Sequence, residues 1–127
     1  MFKYILSVCL LSFIICASCK NALGPDNARH IAGTYNITMN NAQYPVNGDY
    51  LVVTKVDKNH VKVVIDYGNS SSTDIVLPKM EITKNGNTYD VDQSFSNFTS
   101  IGNVNGNTFT LDLNDTNGSY IHIVAVK

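Results

Sequence analysis

Three Asn-Gly pairs interrupt the second half of this 127-residue chain, at Asn85-Gly86, Asn105-Gly106 and Asn117-Gly118. Each pair separates two runs in which apolar and polar residues alternate, and this period of two is typical of strands with one buried face. Asn and Gly tolerate the positive φ angles that both central residues of a type I′ hairpin turn require. The pairs therefore predict tight hairpins in which successive strands lie antiparallel and side by side.

The same period of two continues from Ile31 to the C-terminus, and no segment shows the 3.6-residue period of a helix. It predicts eight strands, at residues 34–40, 50–56, 61–67, 75–83, 88–92, 95–104, 108–113 and 120–126. Pro78 interrupts the fourth run and predicts a bulge or an edge position there. Because the connections are short, we expect an all-β fold, an antiparallel up-and-down barrel of about eight strands without open edges.

The connections between the predicted strands alternate in length. Residues 40–48, 68–73 and 114–119 form the longer connections, whereas the breaks at 58–59, 85–86 and 105–106 are tight. In an up-and-down barrel, alternate connections lie at the same end. We therefore expect the long loops at one end and the N-terminus at the other, provided that Pro78 does not split its run.

Tyr44 is the only aromatic residue in these three longer connections, and Pro45 stiffens the backbone beside it. Loops that a rigid scaffold presents often carry binding residues. Tyr44 is therefore a candidate anchor for a ligand or a protein partner. The alternative is that it only caps the barrel and that the loops are spacers.

The N-terminus combines a positive charge at Lys3 with an apolar stretch at residues 4–15, which is too short to span a bilayer of about 30 Å. Ala17 and Ser18 are small residues directly before Cys19. These features resemble a bacterial lipoprotein signal peptide, which implies cleavage before Cys19 and lipid on its thiol. An ordinary secretory signal and an uncleaved anchor are the alternatives.

The predicted organisation follows from this resemblance: a signal peptide at residues 1–18, a lipidated tether at 19–30 and a barrel domain at 31–127. No Asp follows Cys19, and the lack of this inner-membrane retention signal favours the outer membrane of a Gram-negative bacterium, in either leaflet. The membrane, reached through the lipid on Cys19, is thus the first expected partner. Cys9 and Cys16 would leave with the signal peptide, so the mature chain would hold no intramolecular disulfide.

Charge and residue patterns exclude several functions. The formal net charge is −1 and charged residues make up only 15% of the chain, without a basic stripe, so we expect no binding of nucleic acid. His30, His60 and His122 share no metal-ligand spacing, and neither a Gly-x-Ser-x-Gly motif nor a glycine-rich phosphate loop occurs. Asp90 and Asp92 share one strand face, which is more typical of a solvated surface than of acid–base chemistry. We expect no enzyme activity, no metal and no cofactor.

The last predicted strand carries two further candidates for binding a ligand or a partner, Tyr120 and His122, which alternate along it. Both faces of this strand are rather apolar, so the pattern does not decide which face is buried. In the alternative interpretation, His122 is a barrel-wall histidine that is hydrogen-bonded or partly exposed.

Gly33-Thr34-Tyr35 resembles the start of calycin-type barrels, the lipocalin and avidin group, in which a Gly-x-Trp motif opens the first strand. The resemblance implies that Tyr35 replaces the Trp whose ring plugs the closed end, and that Gly33 and Tyr35 are structural residues. Lipocalins pack an Arg near the last strand on that Trp. This chain has no Arg after Arg29, and the nearest cation is Lys127.

The resemblance implies a small lipocalin-like lipoprotein that binds a small apolar or amphipathic ligand. An eight-stranded barrel is just wide enough to hold one small ligand or to be packed shut by its side chains. A packed barrel would instead favour a non-enzymatic interaction protein, such as an inhibitor or an assembly subunit, that uses the long loops.

Acylation of Cys19 is the first testable prediction. In cells fed labelled palmitate, the wild-type protein should carry the label, and Cys19→Ala should lose it because the thiol is the attachment point. Cys9→Ala removes a thiol within the predicted signal peptide and is the matched control, which should stay labelled. Equal label on the wild type and on Cys19→Ala would contradict the lipoprotein interpretation.

Overall fold

The computed structural model describes residues 24–41, 48–68 and 73–127. They form a short helix and eight strands: α1 (Asn27–Ile31), β1 (Gly33–Asn40), β2 (Tyr50–Asp57), β3 (His60–Asp66), β4 (Ile75–Asn85), β5 (Thr88–Ser94), β6 (Phe98–Asn105), β7 (Thr108–Asp115) and β8 (Tyr120–Val126). Each strand pairs antiparallel with the next, and β1 also pairs with β8, so the sheet closes into a barrel. Within the described residues, no helix has the length and apolar character needed to cross a membrane.

The all-β up-and-down barrel predicted from the sequence is confirmed. Pro78 lies inside β4 and does not split it. Val61 pairs with Met80 and Val63 pairs with Leu77, so one residue of β3 faces two residues of β4 in a β-bulge. This position suits a proline, because proline has no N–H to donate to a regular ladder.

The two ends of the barrel differ in the length of their connections. Because β4 is a single strand, alternate connections lie at the same end. The tight turns β2–β3, β4–β5 and β6–β7 lie at one end, together with the start of β1, and we call this end the closed end. The connections β1–β2, β3–β4, β5–β6 and β7–β8 lie at the other end, which we call the mouth. The longer connections therefore start and end at the mouth, remote from the start of β1, as the sequence predicts; residues 42–47 and 69–72 of these connections lie outside the described residues.

The hairpins lie where the Asn-Gly pairs predict them, but the predicted turn type is wrong. Asn85 still belongs to β4 and pairs with Thr88, so the central residues of the turn are Gly86 and Asn87. Gly86 has a φ of 62°, and among the described residues only glycines have positive φ. Positive φ at the first central residue alone is the pattern of a type II′ turn. The β6–β7 turn repeats it with a φ of 58° at its glycine, whereas the third pair lies in the longer β7–β8 connection.

A helix forms where the sequence predicts none, at the end of the segment assigned to the tether, residues 19–30. Asp26 caps α1, and the N–H of Ala28 donates to the carbonyl of Lys58 in the β2–β3 turn over 2.9 Å. Ala28 and Ile31 are buried, so α1 covers part of the closed end. Five residues make little more than one turn, which is too short to show a helical period in the sequence.

The closed end is built around the ring of Tyr35, which is fully buried. Its hydroxyl donates to the Ile31 carbonyl over 2.7 Å, and its ring meets Phe109 edge-on at 5.6 Å between centroids. Lys127 Nζ lies 5.0 Å from the Tyr35 centroid, which is within cation–π range, and donates to the Ala32 carbonyl. Lys127 and Tyr35 thus pack together at the closed end of the barrel.

Gly33 lets the chain enter β1 beneath this pair. Its φ is 144°, a conformation that other residues rarely adopt, and a Cβ there would lie 2.5 Å from Cε of Lys127.

Burial raises the pKa of the Tyr35 hydroxyl, which therefore stays protonated and able to donate to Ile31.

Inward side chains alternate with outward ones along the strands and fill the barrel above Tyr35. The largest fully buried side chains include those of Tyr35, Phe109, Leu51, Ile65, Leu77, Met80, Leu111, Ile123, Val61, Val63 and Val91. Nearer the mouth, Ile75, Phe98 and Ile121 pack against this core but are only partly buried. The barrel is therefore packed over most of its length and less tightly closed at the mouth.

Truncation of the Tyr35 side chain should destabilise the barrel more than truncation of an aromatic side chain on the surface. We expect Tyr35→Ala to lower the free energy of unfolding by about 3–5 kcal/mol, because it leaves a large cavity. Tyr35→Phe should lower it by about 1 kcal/mol through loss of the hydroxyl bond to Ile31. Urea titration measures both values. Tyr50→Ala removes an outward ring and is the control; an effect as large as that of Tyr35→Ala would contradict the role of the plug.

Candidate functional site

The mouth is lined by the inward residue of each strand that lies nearest to it. Described members of this mouth ring are Asn40 of β1, Asp49 before β2, Tyr67 after β3, Ile75 of β4, Phe95 after β5, Phe98 of β6, Leu113 of β7 and Ile121 of β8. Most of them are apolar, and they lie above the packed core. Ile75, Phe95, Phe98 and Ile121 are only partly buried, whereas the other members of the ring are buried.

A cavity of about 230 Å³ opens between β4 and strands β6–β8 of the mouth ring. Its lining comprises Ile75, Asn97, Phe98, Leu113, Asn114, Asp115, Ser119 and Ile121. The apolar side chains come from strands and point inward, whereas the polar residues lie at the rim and in the two adjoining turns. The cavity therefore offers an apolar interior with hydrogen-bonding groups at its edge, the composition typical of small-ligand sites.

Hydrogen bonds hold the turns around this cavity in place. The Asp115 N–H donates to the Ser119 carbonyl over 2.9 Å, which closes the β7–β8 connection. The Thr116 N–H donates to the Asn97 carbonyl over 3.0 Å and thereby joins this connection to the β5–β6 turn. Phe95 stacks on Phe98 with 4.3 Å between centroids. These contacts fix the two turns that form part of the cavity wall.

Asp49 brings a carboxyl group into the mouth ring. Tyr50 points outward and is 36% exposed, and the neighbouring inward position on β2 is the buried Leu51, so the alternation directs Asp49 inward. Asp49 is only 3% exposed, and its Oδ2 has no hydrogen-bond partner. Its carbonyl accepts from the Ile37 N–H over 3.1 Å, which continues the β1–β2 pairing beyond the strand and fixes the backbone. An acceptor that is buried without a donor costs about 1–3 kcal/mol.

The structure places Tyr120 and His122 on the outer surface of β8, away from the cavity. Ile121 and Ile123 on the same strand point inward. Asp112 of β7 accepts hydrogen bonds from the Tyr120 hydroxyl and from His122 Nδ1, both over 2.6 Å. The two rings stack with 6.3 Å between centroids. The three side chains form a fixed outer cluster that does not contribute to the mouth.

Titration of Asp112 reflects this cluster. Burial raises the pKa of the Asp112 carboxyl, but the hydrogen bonds from Tyr120 and His122 lower it more, and the resulting pKa lies below the ordinary 3.8. The same carboxylate raises the pKa of the Tyr120 hydroxyl above its ordinary value of 10.0. The cluster thus favours an ionised Asp112 next to a protonated Tyr120.

The other sequence candidates do not converge on the mouth. His30 on α1 stacks on Tyr89 at the closed end, with 6.1 Å between ring centroids, and His60 Nδ1 lies 2.7 Å from Asp57 Oδ1 in the β2–β3 turn. Within the described ranges, no group of three or more His, Cys, Asp or Glu side chains is arranged to hold a metal ion. Tyr44 and Cys19 lie outside the described residues.

Asp90 and Asp92 lie on the outer face of β5. Asp90 accepts a hydrogen bond from Asn103 Nδ2 over 2.8 Å. Asp92 borders a second concavity of about 350 Å³ on the outer surface, where the β4–β5 ladder ends and the Lys79 N–H donates to Gln93 Oε1 instead. This concavity is larger in volume but lined by charged and polar groups, so it lacks the apolar walls of the mouth cavity.

Asp49 and the inward residues Phe98, Leu113 and Ile121 are not among the site residues that the sequence predicts. The alternation of apolar and polar residues was a usable signal for the last two, because it marks them as inward and near a strand end. In the sequence, Asp49 follows Gly48 and looks like an ordinary loop aspartate. Its burial depends on pairing with β1, which the sequence pattern does not reveal.

No protein-family model, no curated protein and no solved structure matches the chain.

Stability in acid should depend on Asp112. Since its folded pKa is lowered, its contribution to stability is complete above the unfolded pKa and is lost as the pH falls through the folded pKa. Asp112→Asn should therefore lower the free energy of unfolding at neutral pH, and the difference from the wild type should shrink below about pH 4. Urea titrations between pH 7 and pH 2 measure this difference. Asp92→Asn is the exposed control, and a difference for Asp112→Asn that grows with acid would contradict the cluster's role.

Proposed function

We propose that this chain is a membrane-anchored, lipocalin-like lipoprotein that binds a small apolar or amphipathic ligand in its barrel mouth. The observation that carries the proposal is the preformed cavity of about 230 Å³ with apolar walls at Phe98, Leu113 and Ile121. Apolar walls reward burial of an apolar ligand by about 25 cal/mol for each Å² removed from water. Polar groups at the rim give such a ligand a preferred orientation.

The cavity sets the size of the ligand. At about 30 Å³ for each water-sized group, a cavity of about 230 Å³ takes roughly eight non-hydrogen atoms. The core beneath it is packed, with Leu51, Leu77 and Ile123 fully buried, so a longer ligand extends outward through the mouth. A short alkyl chain or one small ring with a polar end fits these limits.

The proposed lipid anchor leaves the mouth accessible. Gly24, the first described residue, lies at the closed end, where its carbonyl accepts a hydrogen bond from Lys58 Nζ over 3.4 Å. Asp26 pairs with Lys55 nearby, which fixes the chain as it enters α1. Between a lipidated Cys19 and Gly24 the chain reaches at most about 18 Å. The closed end would then lie near the outer-membrane surface, with the mouth directed away from it.

The proposal includes no catalytic residue, cofactor, metal or nucleic acid. Asp112 and His122 form a carboxylate–imidazole pair, but the third member of their cluster is Tyr120, whose hydroxyl donates to the same carboxylate oxygen. This arrangement raises the pKa of the Tyr120 hydroxyl and so lowers its reactivity as a nucleophile. A binding protein is therefore better supported than an enzyme.

A second candidate function is a non-enzymatic interaction protein, an inhibitor or assembly subunit, that uses the long loops of the mouth. The packed lower barrel and the outer cluster of Tyr120 and His122, which lies beside the exposed Ile101, favour this alternative. Tyr44 remains its candidate anchor. Against an identified partner, Tyr44→Ala should weaken binding by about 1 kcal/mol or more without changing stability.

Filling the cavity tests the proposed ligand site. With 1-hexanol as an uncharged probe of matching size, we expect chemical-shift changes in the wild-type protein at cavity residues. Ile121→Trp should weaken hexanol binding about tenfold or more, because the larger ring occupies the cavity. Ile101→Trp adds the same ring on the outer face, where Ile101 is 57% exposed, and should bind like the wild type. Equal binding by both variants, or none by the wild type, would contradict the mouth site.

A further inference from the structure

The buried carboxyl group of Asp49 restricts the polar end of the ligand, which the apolar cavity does not. Buried polar atoms in folded proteins nearly always have hydrogen-bond partners. Asp49 Oδ2 is a buried acceptor without a donor, and the side chain belongs to the mouth ring. A carboxylate only accepts hydrogen bonds, so the group that completes it must be a donor.

The lysine and arginine side chains of the described residues lie outside the mouth ring. Lys55 and Lys58 are engaged at the closed end by Asp26 and Gly24, and Lys127 lies over the Tyr35 ring. The other described basic side chains are exposed on strands or on α1: Arg29, Lys62, Lys79 and Lys84. None of them belongs to the mouth ring, so the carboxylate has no internal counter-ion among these residues.

The mouth therefore combines two unlike walls. Asp49 lies on the β2 side, and the apolar cavity lies on the side of β4 and β6–β8. Asp49 and Ile75 are both the inward positions of their strands nearest the mouth, so carboxylate and cavity share one end of the barrel. The two walls match the two parts of a ligand that has an apolar body and a donating polar end.

We propose that the ligand of the mouth is a small primary amine with an apolar body, whose ammonium group pairs with the carboxylate of Asp49. This inference rests on the proposed function, since it assigns the polar end of the ligand for the same site. An ammonium provides charge-assisted hydrogen bonds, which are stronger than those of an alcohol. A buried carboxylate also repels a ligand carboxylate, so Asp49 selects the sign of the ligand's charge.

Three probes with the same six-carbon chain separate the two proposals: 1-hexylammonium chloride, 1-hexanol and sodium hexanoate, titrated at pH 7 into the full-length chain and followed by NMR. We expect hexylammonium to bind about tenfold more tightly than hexanol, and hexanoate to bind at least about tenfold more weakly than hexanol. The side-chain carboxyl signal of Asp49 should shift with hexylammonium alone. This signal reads the contact in the wild-type protein and needs no variant.

Asp49→Asn removes the charge while keeping the size of the side chain. It should bind hexylammonium and hexanol about equally, because an amide carries no charge that distinguishes the two probes. Asp92→Asn removes a carboxylate from the outer face and should keep the tenfold preference. If both variants lose the preference, the negative charge acts at a distance. If Asp49→Asn keeps the preference, another group pairs with the ammonium. Either result would overturn the assignment to Asp49.

The outcomes distinguish the two proposals. If the wild type binds hexanol and hexylammonium equally, the amine specificity is wrong and the apolar mouth site stands. If it binds neither, both proposals are wrong. An Asp49 carboxyl signal that does not shift while hexylammonium is preferred also overturns the pairing.

Discussion

Closure of the barrel depends on β1, the strand that both neighbours share. Its first half pairs with β2 and its second half with β8, and Asn36 is paired on both sides, with Tyr50 and with Val126. A register shift between Ile37 and Met39 lets the strand turn from one partner to the other, as bulges at barrel corners do. If β1 left either partner, the sheet would have two open edges, and the inward side chains would lose their enclosure.

The residue that fixes β1 is also the one that fills the closed end. Tyr35 precedes the doubly paired Asn36 and joins three parts of the chain: Ile31 through its hydroxyl, Phe109 through its edge and Lys127 through its face. These contacts bring the chain before β1 and the residue after β8 to the same ring. The segment before β1 and the residue after β8 therefore meet at the closed end, whereas the cavity formed by the described residues lies at the mouth.

Local rules were sufficient to predict the fold, but not where some side chains point. The alternation and the Asn-Gly pairs gave the barrel, because each hairpin is decided by neighbouring residues. The side to which His122 points was undecided, since both faces of β8 carry apolar residues, and its outward position follows from pairing with Asp112 across the sheet. The helix α1 escaped prediction because its stability comes from contacts with the β2–β3 turn, which a sequence period does not report.

Asp49, at the candidate site, is another residue whose side-chain position could not be predicted from the sequence. Its burial also bears on the function of that site. The sequence places it after a glycine in a polar stretch, and only closure of β1 on β2 makes it a buried residue. A barrel selected for stability alone would place an apolar side chain there, as it does at the inward positions Leu51 and Val53 of the same strand. Proteins retain such locally unfavourable residues mainly where function requires them. The proposed amine ligand accounts for this carboxylate, whereas the surrounding fold alone does not.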